Sequence, residues 1–247
     1  MTRRYEDLRV RLIQVRERPA VIEEEYRTFL ERCRLRPDQL VTTNALSDPL
    51  SPDLLRDVDA VMIGGAGAYS VTQTYPWTAP MIGLVKECYE RSVPLFGSCW
   101  GHQFIARTFG GTVVHDPARS EMGTHEVTLT EAGLTDPLFG HFPPRFKAQM
   151  GHQDRVSVLP PEAVELATNG TAPHQAFRLA DRPIYGTQFH SELDAARERE
   201  RLLTYRSYYP ELLADTAFSQ TLDSVRETPE VDTLLYTFLT QIAVSRS

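Results

Sequence analysis

Two short constellations in this chain carry residue types that can do covalent chemistry. The first is Val93-Pro94-Leu95-Phe96-Gly97-Ser98-Cys99-Trp100-Gly101-His102-Gln103. Its apolar run reads as a buried strand that stops at Gly97, and residues 102–109 read as a helix start. A cysteine at the tip of a strand-turn-helix, with small residues on both sides that let the backbone bend, is the arrangement of a nucleophile elbow. Such a turn lifts the sulfur out at the carboxyl edge of the sheet, where open α/β folds bind ligands. It also sets the sulfur beside a helix N-terminus, whose unpaired N–H groups and positive dipole end suit a reactive cysteine. Cys33 and Cys88 differ from Cys99, because both fall in helical apolar patterns without flanking glycines and read as packing residues.

A nucleophile of this kind needs a base and a group to orient it. His190 closes the apolar run 184–189, and Glu192 follows two residues later. In an extended segment residues i and i+2 face the same way, so Glu192 can hold one nitrogen of the His190 ring while the other faces Cys99. A carboxylate partner raises imidazole basicity and favours a thiolate–imidazolium pair. The remaining histidines show no recurring metal spacing. His102 reads as packing beneath the elbow, and His115, His125, His141 and His174 read as turn or strand-end residues. No metal or cofactor is expected.

The elements that must position these groups alternate. Strands are predicted over 8–15, 58–63 and 93–96, with helices over 19–35 and 80–91 between them, the signature of a parallel sheet covered on both faces. After the elbow helix come short strands over 111–114, 125–129, 156–159, 175–179 and 184–189, separated by Gly and Pro turns. The run Arg197-Glu198-Arg199-Glu200-Arg201 alternates in sign and reads as a solvated helix face. Near the end, Thr228-Pro229-Glu230 makes a helix start. Val231, Leu234, Leu235, Phe238, Leu239 and Ile242 follow it as an amphipathic stripe that must bury on the chain's own domain or on a partner.

Composition bounds the function classes. At 247 residues the chain suits one sizeable α/β domain with an appendage. A net charge of −7 without a basic block argues against a nucleic-acid partner. Three cysteines without a Cys-x-x-Cys pair fit neither a disulfide framework nor a zinc site. No apolar run is long enough for a membrane span and no signal-peptide core is present, so a cytoplasmic setting is expected. Asn169-Gly170-Thr171, a formal glycosylation sequon, reads as a turn.

Gly97-Ser98-Cys99-Trp100-Gly101-His102-Gln103 resembles the Gly-x-Cys-x-Gly-x-Gln elbow of class I glutamine amidotransferases. Gly186-Thr187-Gln188-Phe189-His190-Ser191-Glu192 resembles their Gln-Phe-His-Pro-Glu segment, and Gly64-Gly65 matches their oxyanion loop. Met150-Gly151-His152-Gln153-Asp154-Arg155-Val156 is similar to the His-x-Asp-x-Val segment of the glutaminase domain of GMP synthase. The resemblance covers about residues 8–205, with the four motifs in the family's order. It implies an open, doubly wound, mostly parallel sheet flanked by helices (flavodoxin-like). The expected organisation is an amidotransferase-like domain over 1–205 and a C-terminal helical extension over 206–247.

It also implies roles. Cys99 would attack the γ-carboxamide of L-glutamine, His190 would move the protons, and Glu192 would orient His190. The N–H groups of Gly65 and Trp100 would form the oxyanion hole, and Gln103, Gly151, His152, Gln153 and Asp154 would bind substrate. Two departures stand out: Ser191 replaces the family's proline, and Gly64-Gly65-Ala66-Gly67-Ala68-Tyr69-Ser70 is longer than Gly-Gly-Pro-x-Ser. No phosphate-binding Gly-x4-Gly-Lys-Ser/Thr loop is present. If the ammonia feeds a biosynthetic reaction, its acceptor is expected on a separate synthetase chain, and a homodimer is a further candidate assembly. The same residues suit a stand-alone γ-glutamyl peptidase or hydrolase. A non-catalytic sensing or interaction protein is the third reading, against which the intact Cys99, His190 and Glu192 speak.

Overall fold

The computed structural model describes residues 4–208 and 214–244. The strands in chain order are β1 (Val10–Gln14), β2 (Leu40–Asn44), β3 (Ala60–Ile63), β4 (Leu95–Ser98), β5 (Thr112–His115), β6 (Glu121–Leu129), β7 (Arg145–His152), β8 (Asp154–Val158), β9 (Ala163–Thr168), β10 (Ala176–Leu179) and β11 (Ile184–Thr187). The helices are α1 (Pro19–Arg32), α2 (Thr78–Glu90), α3 (Trp100–Thr108), α4 (Glu131–Thr135), α5 (Ala195–Tyr205), α6 (Asp215–Ser224) and α7 (Leu234–Thr237), the last continuing as a π-helix over Phe238–Ala243.

Nine strands make one sheet in the order β2-β1-β3-β4-β11-β10-β9-β6-β7, while β5 and β8 pair separately. The half from β2 to β11 is parallel; from β11 through β10, β9, β6 and β7 it is antiparallel. Period-2 alternation sends Leu12, Met62 and Phe96 to one face and Ile13, Val61, Ile63 and Leu95 to the other. Both faces are covered: one core packs α1 and the C-terminal stripe, the other packs α2 and α3. Near-continuous apolar runs in these strands follow from that two-sided burial.

The alternating elements of the first half match the structure closely, the elbow strand extending to Ser98. Strands β2, β7 and β9 have no counterpart among the predicted elements. β7 carries Gln149 and His152 among its buried residues, which breaks the apolar alternation that marks a strand. The solvated reading of 197–201 is overturned in part. Glu198 and Arg201 are buried on the inner face of α5. The C-terminal helix starts later than its Thr-Pro-Glu signal suggests, at Leu234, and Thr228 does not cap it. Its stripe buries within the chain: Val231, Leu234, Leu235, Phe238 and Leu239 join the same core as Leu12 and Phe29, with Ile242 partly buried against it. Among the described residues no helix is long and apolar enough to cross a membrane.

Candidate active site

Three parallel neighbours, β3, β4 and β11, bring their carboxyl ends side by side, in register at Ile63, Gly97 and Gly186. Past those ends lie Gly64-Gly65, Cys99 and His190. Cys99 joins β4 to α3 with φ 50° and ψ −99°, a left-handed backbone that costs energy for a residue with a Cβ and marks an elbow held by its surroundings. The hold is visible on both sides. The Cys99 N–H donates to the Thr187 carbonyl at 2.8 Å. A Cβ on Gly101 would lie 2.5 Å from the Ile63 carbonyl oxygen, and one on Gly97 would lie 2.5 Å from the Gly101 carbonyl carbon. Only glycine lets α3 descend that closely onto β3 and β4.

His190 follows β11, and its N–H donates to the Gln149 carbonyl of β7 at 2.9 Å, which pins the segment across the sheet. Its Nδ1 hydrogen-bonds Glu192 Oε1 at 2.7 Å, and the Cys99 sulfur lies within hydrogen-bonding reach of the ring. Burial alone would favour neutral imidazole. The Glu192 carboxylate and Cys99 outweigh it and hold the His190 pKa well above its ordinary value. Burial likewise opposes the charge on Glu192, yet His190, the Ser98 hydroxyl and Arg201 together bring its pKa down to about 2. Ser98 Oγ donates to Glu192 Oε2 at 2.7 Å, so both carboxylate oxygens are engaged. Replacing the usual proline with Ser191 leaves the two-residue step from His190 to Glu192 intact.

Cys99 and His190 border an open cleft of about 200 Å³. Gly65, Trp100, Gln103 and the segment 151–154 line it. Trp100 is the first residue of α3, so its N–H is one of the helix's unpaired donors. The Cys99 sulfur approaches the Gly151 carbonyl at 4.0 Å. Gln103 reaches the cleft, but its amide donates to the Asp154 carbonyl at 2.7 Å and to Gln188 Oε1 at 3.1 Å. The Asp154 carboxylate is bound by Ser70 and by His115 Nδ1, the latter at 2.8 Å. Gln103 and Asp154 thus brace the loop over 151–154 that borders the cleft. His152 is turned inward, with Nε2 at 3.2 Å from Glu121 Oε2, so only its backbone faces the cleft side. Trp100 stacks on Phe104 and meets Trp77 at 5.6 Å, which walls one side.

Several residues that shape the site carry no motif. Arg16, at the end of β1, is fully buried in an ion pair with Glu25 at 2.8 Å. A Cβ on Gly65 would lie 2.8 Å from Arg16 and 3.3 Å from His190, so this guanidinium packs against the Gly64-Gly65 loop. Gln188 Nε2 points at the Cys99 sulfur at 3.7 Å. Glu121 accepts from His152, Gln175 and Asn169 and holds the β7–β8 turn. Leu193, Glu198, Arg201, Leu202 and Tyr205 bring α5 and its approach along the cleft. A buried charge on an otherwise apolar helix stripe, as with Glu25 beside Val21 and Phe29, is the signal that could have found Arg16 and Glu25. His102 lies sealed beneath the elbow. Burial lowers its pKa to about 3, which keeps the ring neutral against Phe177 at 4.8 Å. Cys33 and Cys88 are buried free thiols in the cores. No group of three or more His, Cys, Asp or Glu that could hold a metal occurs among the described residues.

A cysteine on a strained strand-helix elbow, facing a histidine whose far nitrogen is held by a buried carboxylate, is an arrangement that can support nucleophilic attack on a carbonyl. Comparisons with known proteins give the family. The glutamine amidotransferase class-I profile matches residues 33–206. The chain is 30% identical over 173 residues to a glutamine-hydrolyzing GMP synthase subunit of Methanothermobacter thermautotrophicus, covering 70% of this chain and 83% of that one. It is 36% identical over 120 residues to the corresponding GMP synthase chain of Pyrococcus abyssi, covering 49% and 62%. A glutamine amidotransferase structure from Methylobacillus flagellatus superposes with a TM-score of 0.71 at 23% identity, covering 94% of this chain and 93% of that one. The chain belongs to the class-I glutamine amidotransferase family and is a glutamine amidotransferase-type amidohydrolase.

Proposed function

We propose that this chain hydrolyses the γ-amide of L-glutamine through Cys99, His190 and Glu192, releasing ammonia. The observation that carries the reading is the Cys99–His190–Glu192 line, set past the adjacent ends of β4 and β11, with Cys99 and His190 bordering one cleft. The thiolate adds to the γ-carbonyl carbon, forming a C–S bond, while the carbonyl electrons move onto oxygen. Gly65 and Trp100 N–H groups, preorganised at the loop and the helix start, stabilise that oxyanion, an effect worth about 3 kcal/mol per donor. The C–N bond then breaks and the proton held by His190 passes to the departing nitrogen, leaving a γ-glutamyl thioester. A water molecule, deprotonated by His190, attacks the thioester, and the proton returns to the sulfur as glutamate leaves.

Glu192 serves this cycle by fixing the tautomer and orientation of His190 and by stabilising the imidazolium. Gln188, aimed at the sulfur, is a neutral donor to the thiolate. The ammonia would pass to an acceptor on a separate synthetase chain. Mass spectrometry of protein mixed with glutamine tests the reading: a γ-glutamyl adduct on Cys99 and ammonia release are expected. Cys99→Ala should lower turnover by at least ~10⁴-fold. Ammonia release that survives Cys99→Ala, or wild-type protein that never acylates, overturns it.

A further inference from the structure

Among the described residues, Glu198 is the buried acid at the cleft that the chemistry above does not use. It is 1% exposed, projects from the inner face of α5 and borders the same cleft as Cys99 and His190. Its carboxylate is met by the Gly123 N–H, but Oε1 has no hydrogen-bond partner among the described residues. A buried carboxylate oxygen without a protein partner is costly, and a donor from outside the chain would relieve it. The neighbouring cations do not supply it. Arg201 is paired with Glu24, and Arg16 is paired with Glu25 and Tyr205.

The position of Glu198 along the cleft says which part of a substrate it meets. The acyl carbon must sit over Cys99, with the glutamyl portion toward Gln103 and the 151–154 loop, and the departing nitrogen beside His190. Glu198 interacts electrostatically with His190, and Leu193, Leu202 and Tyr205 accompany it from the segment that follows His190. Whatever substituent the departing nitrogen carries is therefore directed along α5. Ammonia has no substituent, yet the cleft extends past His190 to Tyr205 and Tyr208.

We propose that Glu198 and the inner face of α5 form a leaving-group subsite that takes a primary ammonium, so that γ-glutamyl amides of short linear diamines are substrates. This rests on the amidohydrolase reading above. A compact ammonium offers three donors to the unpartnered carboxylate oxygen, and Tyr205 and Tyr208 line the same cleft. A leaving group bearing a carboxylate, as in a γ-glutamyl dipeptide, fits less well, because both nearby guanidiniums are already bound to their own glutamates. The step balances as for glutamine. The C–S bond forms, the C–N bond breaks, the His190 proton goes to the leaving nitrogen, and the free diamine departs before water releases glutamate.

The test compares kcat/KM for γ-glutamyl amides of short linear diamines with that for γ-glutamyl n-alkylamides of equal heavy-atom number, with glutamine and γ-glutamylglycine alongside. The best diamine amide should exceed its alkyl match by on the order of tenfold, equivalent to one charge-assisted hydrogen bond. Glu198→Gln should bring that ratio near one. The ratio is taken within each protein, so a general loss in the variant cancels. If Glu198→Gln does not fold, the wild-type ratio decides, together with competitive inhibition by the free diamine but not by the alkylamine. A wild-type ratio near one, a ratio that survives Glu198→Gln, or a preference for γ-glutamylglycine overturns the subsite. If glutamine acylates Cys99 while the ratio is one, the subsite alone fails. If no substrate acylates Cys99, the amidohydrolase reading fails and the subsite falls with it.

Discussion

Both oxygens of the buried Glu192 carboxylate are occupied, Oε1 by His190 and Oε2 by Ser98, so the pair behaves as one unit with the imidazole. Replacing Glu192 with Gln keeps the shape and removes the charge. Turnover of glutamine should fall by ~10²–10⁴-fold, because the imidazolium loses its counter-ion and the wrong tautomer becomes accessible. Stability changes with pH in a defined sense. Glu192 has its pKa lowered to about 2, so its contribution is complete above the ordinary carboxylate range and is lost as pH falls toward that value. His190 has its pKa raised, so its contribution is complete below the ordinary imidazole range and is lost as pH rises through the folded value. Denaturant titrations should therefore show Glu192→Gln destabilised by about 3 kcal/mol near neutral pH, converging on wild type in strong acid. A pH-independent difference would contradict the coupling. At this scale Cys99, His190 and Glu192 were legible because each sits in a local pattern. Ser98, Gln188 and Arg16 were not, since their partners lie 94, 89 and 9 residues away and no spacing announces them.

The elbow works because α3 descends onto β3 and β4 at a distance only glycine permits. Gly101→Ala would put a methyl 2.5 Å from the Ile63 carbonyl oxygen, a backbone atom that cannot rotate away. The helix start must shift, and with it Trp100 and the Cys99 backbone. We expect a loss of about 1–3 kcal/mol in stability from overpacking and a turnover loss of about 10²-fold from misplacing the nucleophile. Thermal unfolding and steady-state kinetics measure the two separately; unchanged turnover would mean that the elbow tolerates the shift. The strand-turn-helix was readable because glycine spacing and the end of an apolar run coincide there. The buried face of helix α5 was not. Its charges alternate along the sequence as they do on a solvated face, yet three and seven residues on from Glu198 the same stripe carries Arg201 and Tyr205, and it turns inward against Glu24 and Arg16. Sign alternation reports the charges along a helix and says nothing of what a cleft or a partner helix pairs with them.

Across the whole molecule, the parallel half of the sheet holds the proposed reacting groups, and the core behind that half is completed by the C-terminal stripe. Phe238 packs edge-on to Phe96 at 5.3 Å and to Tyr185 at 6.1 Å, the two residues that precede Gly97 and Gly186 on β4 and β11. The extension is thus wedged behind the strands that carry Cys99 and His190, on the face away from α3. From sequence the stripe was plain, but its partner was not, because periodicity gives a face and never its counterpart. Phe238→Ala should cost about 3–5 kcal/mol by emptying a fully buried ring site, which for a domain of this size lowers Tm by about 6–20 °C. Below the new transition the parallel strands remain paired with one another through their own hydrogen bonds, so turnover per folded molecule should stay near wild type. Calorimetry and kinetics on the same preparation separate the two outcomes. A Tm within ~2 °C of wild type would show that the stripe does not support the elbow strands. A collapse of turnover well below the transition would show that packing behind β4 and β11 sets the line of Cys99 and His190 directly, and not only the stability of the sheet that carries them.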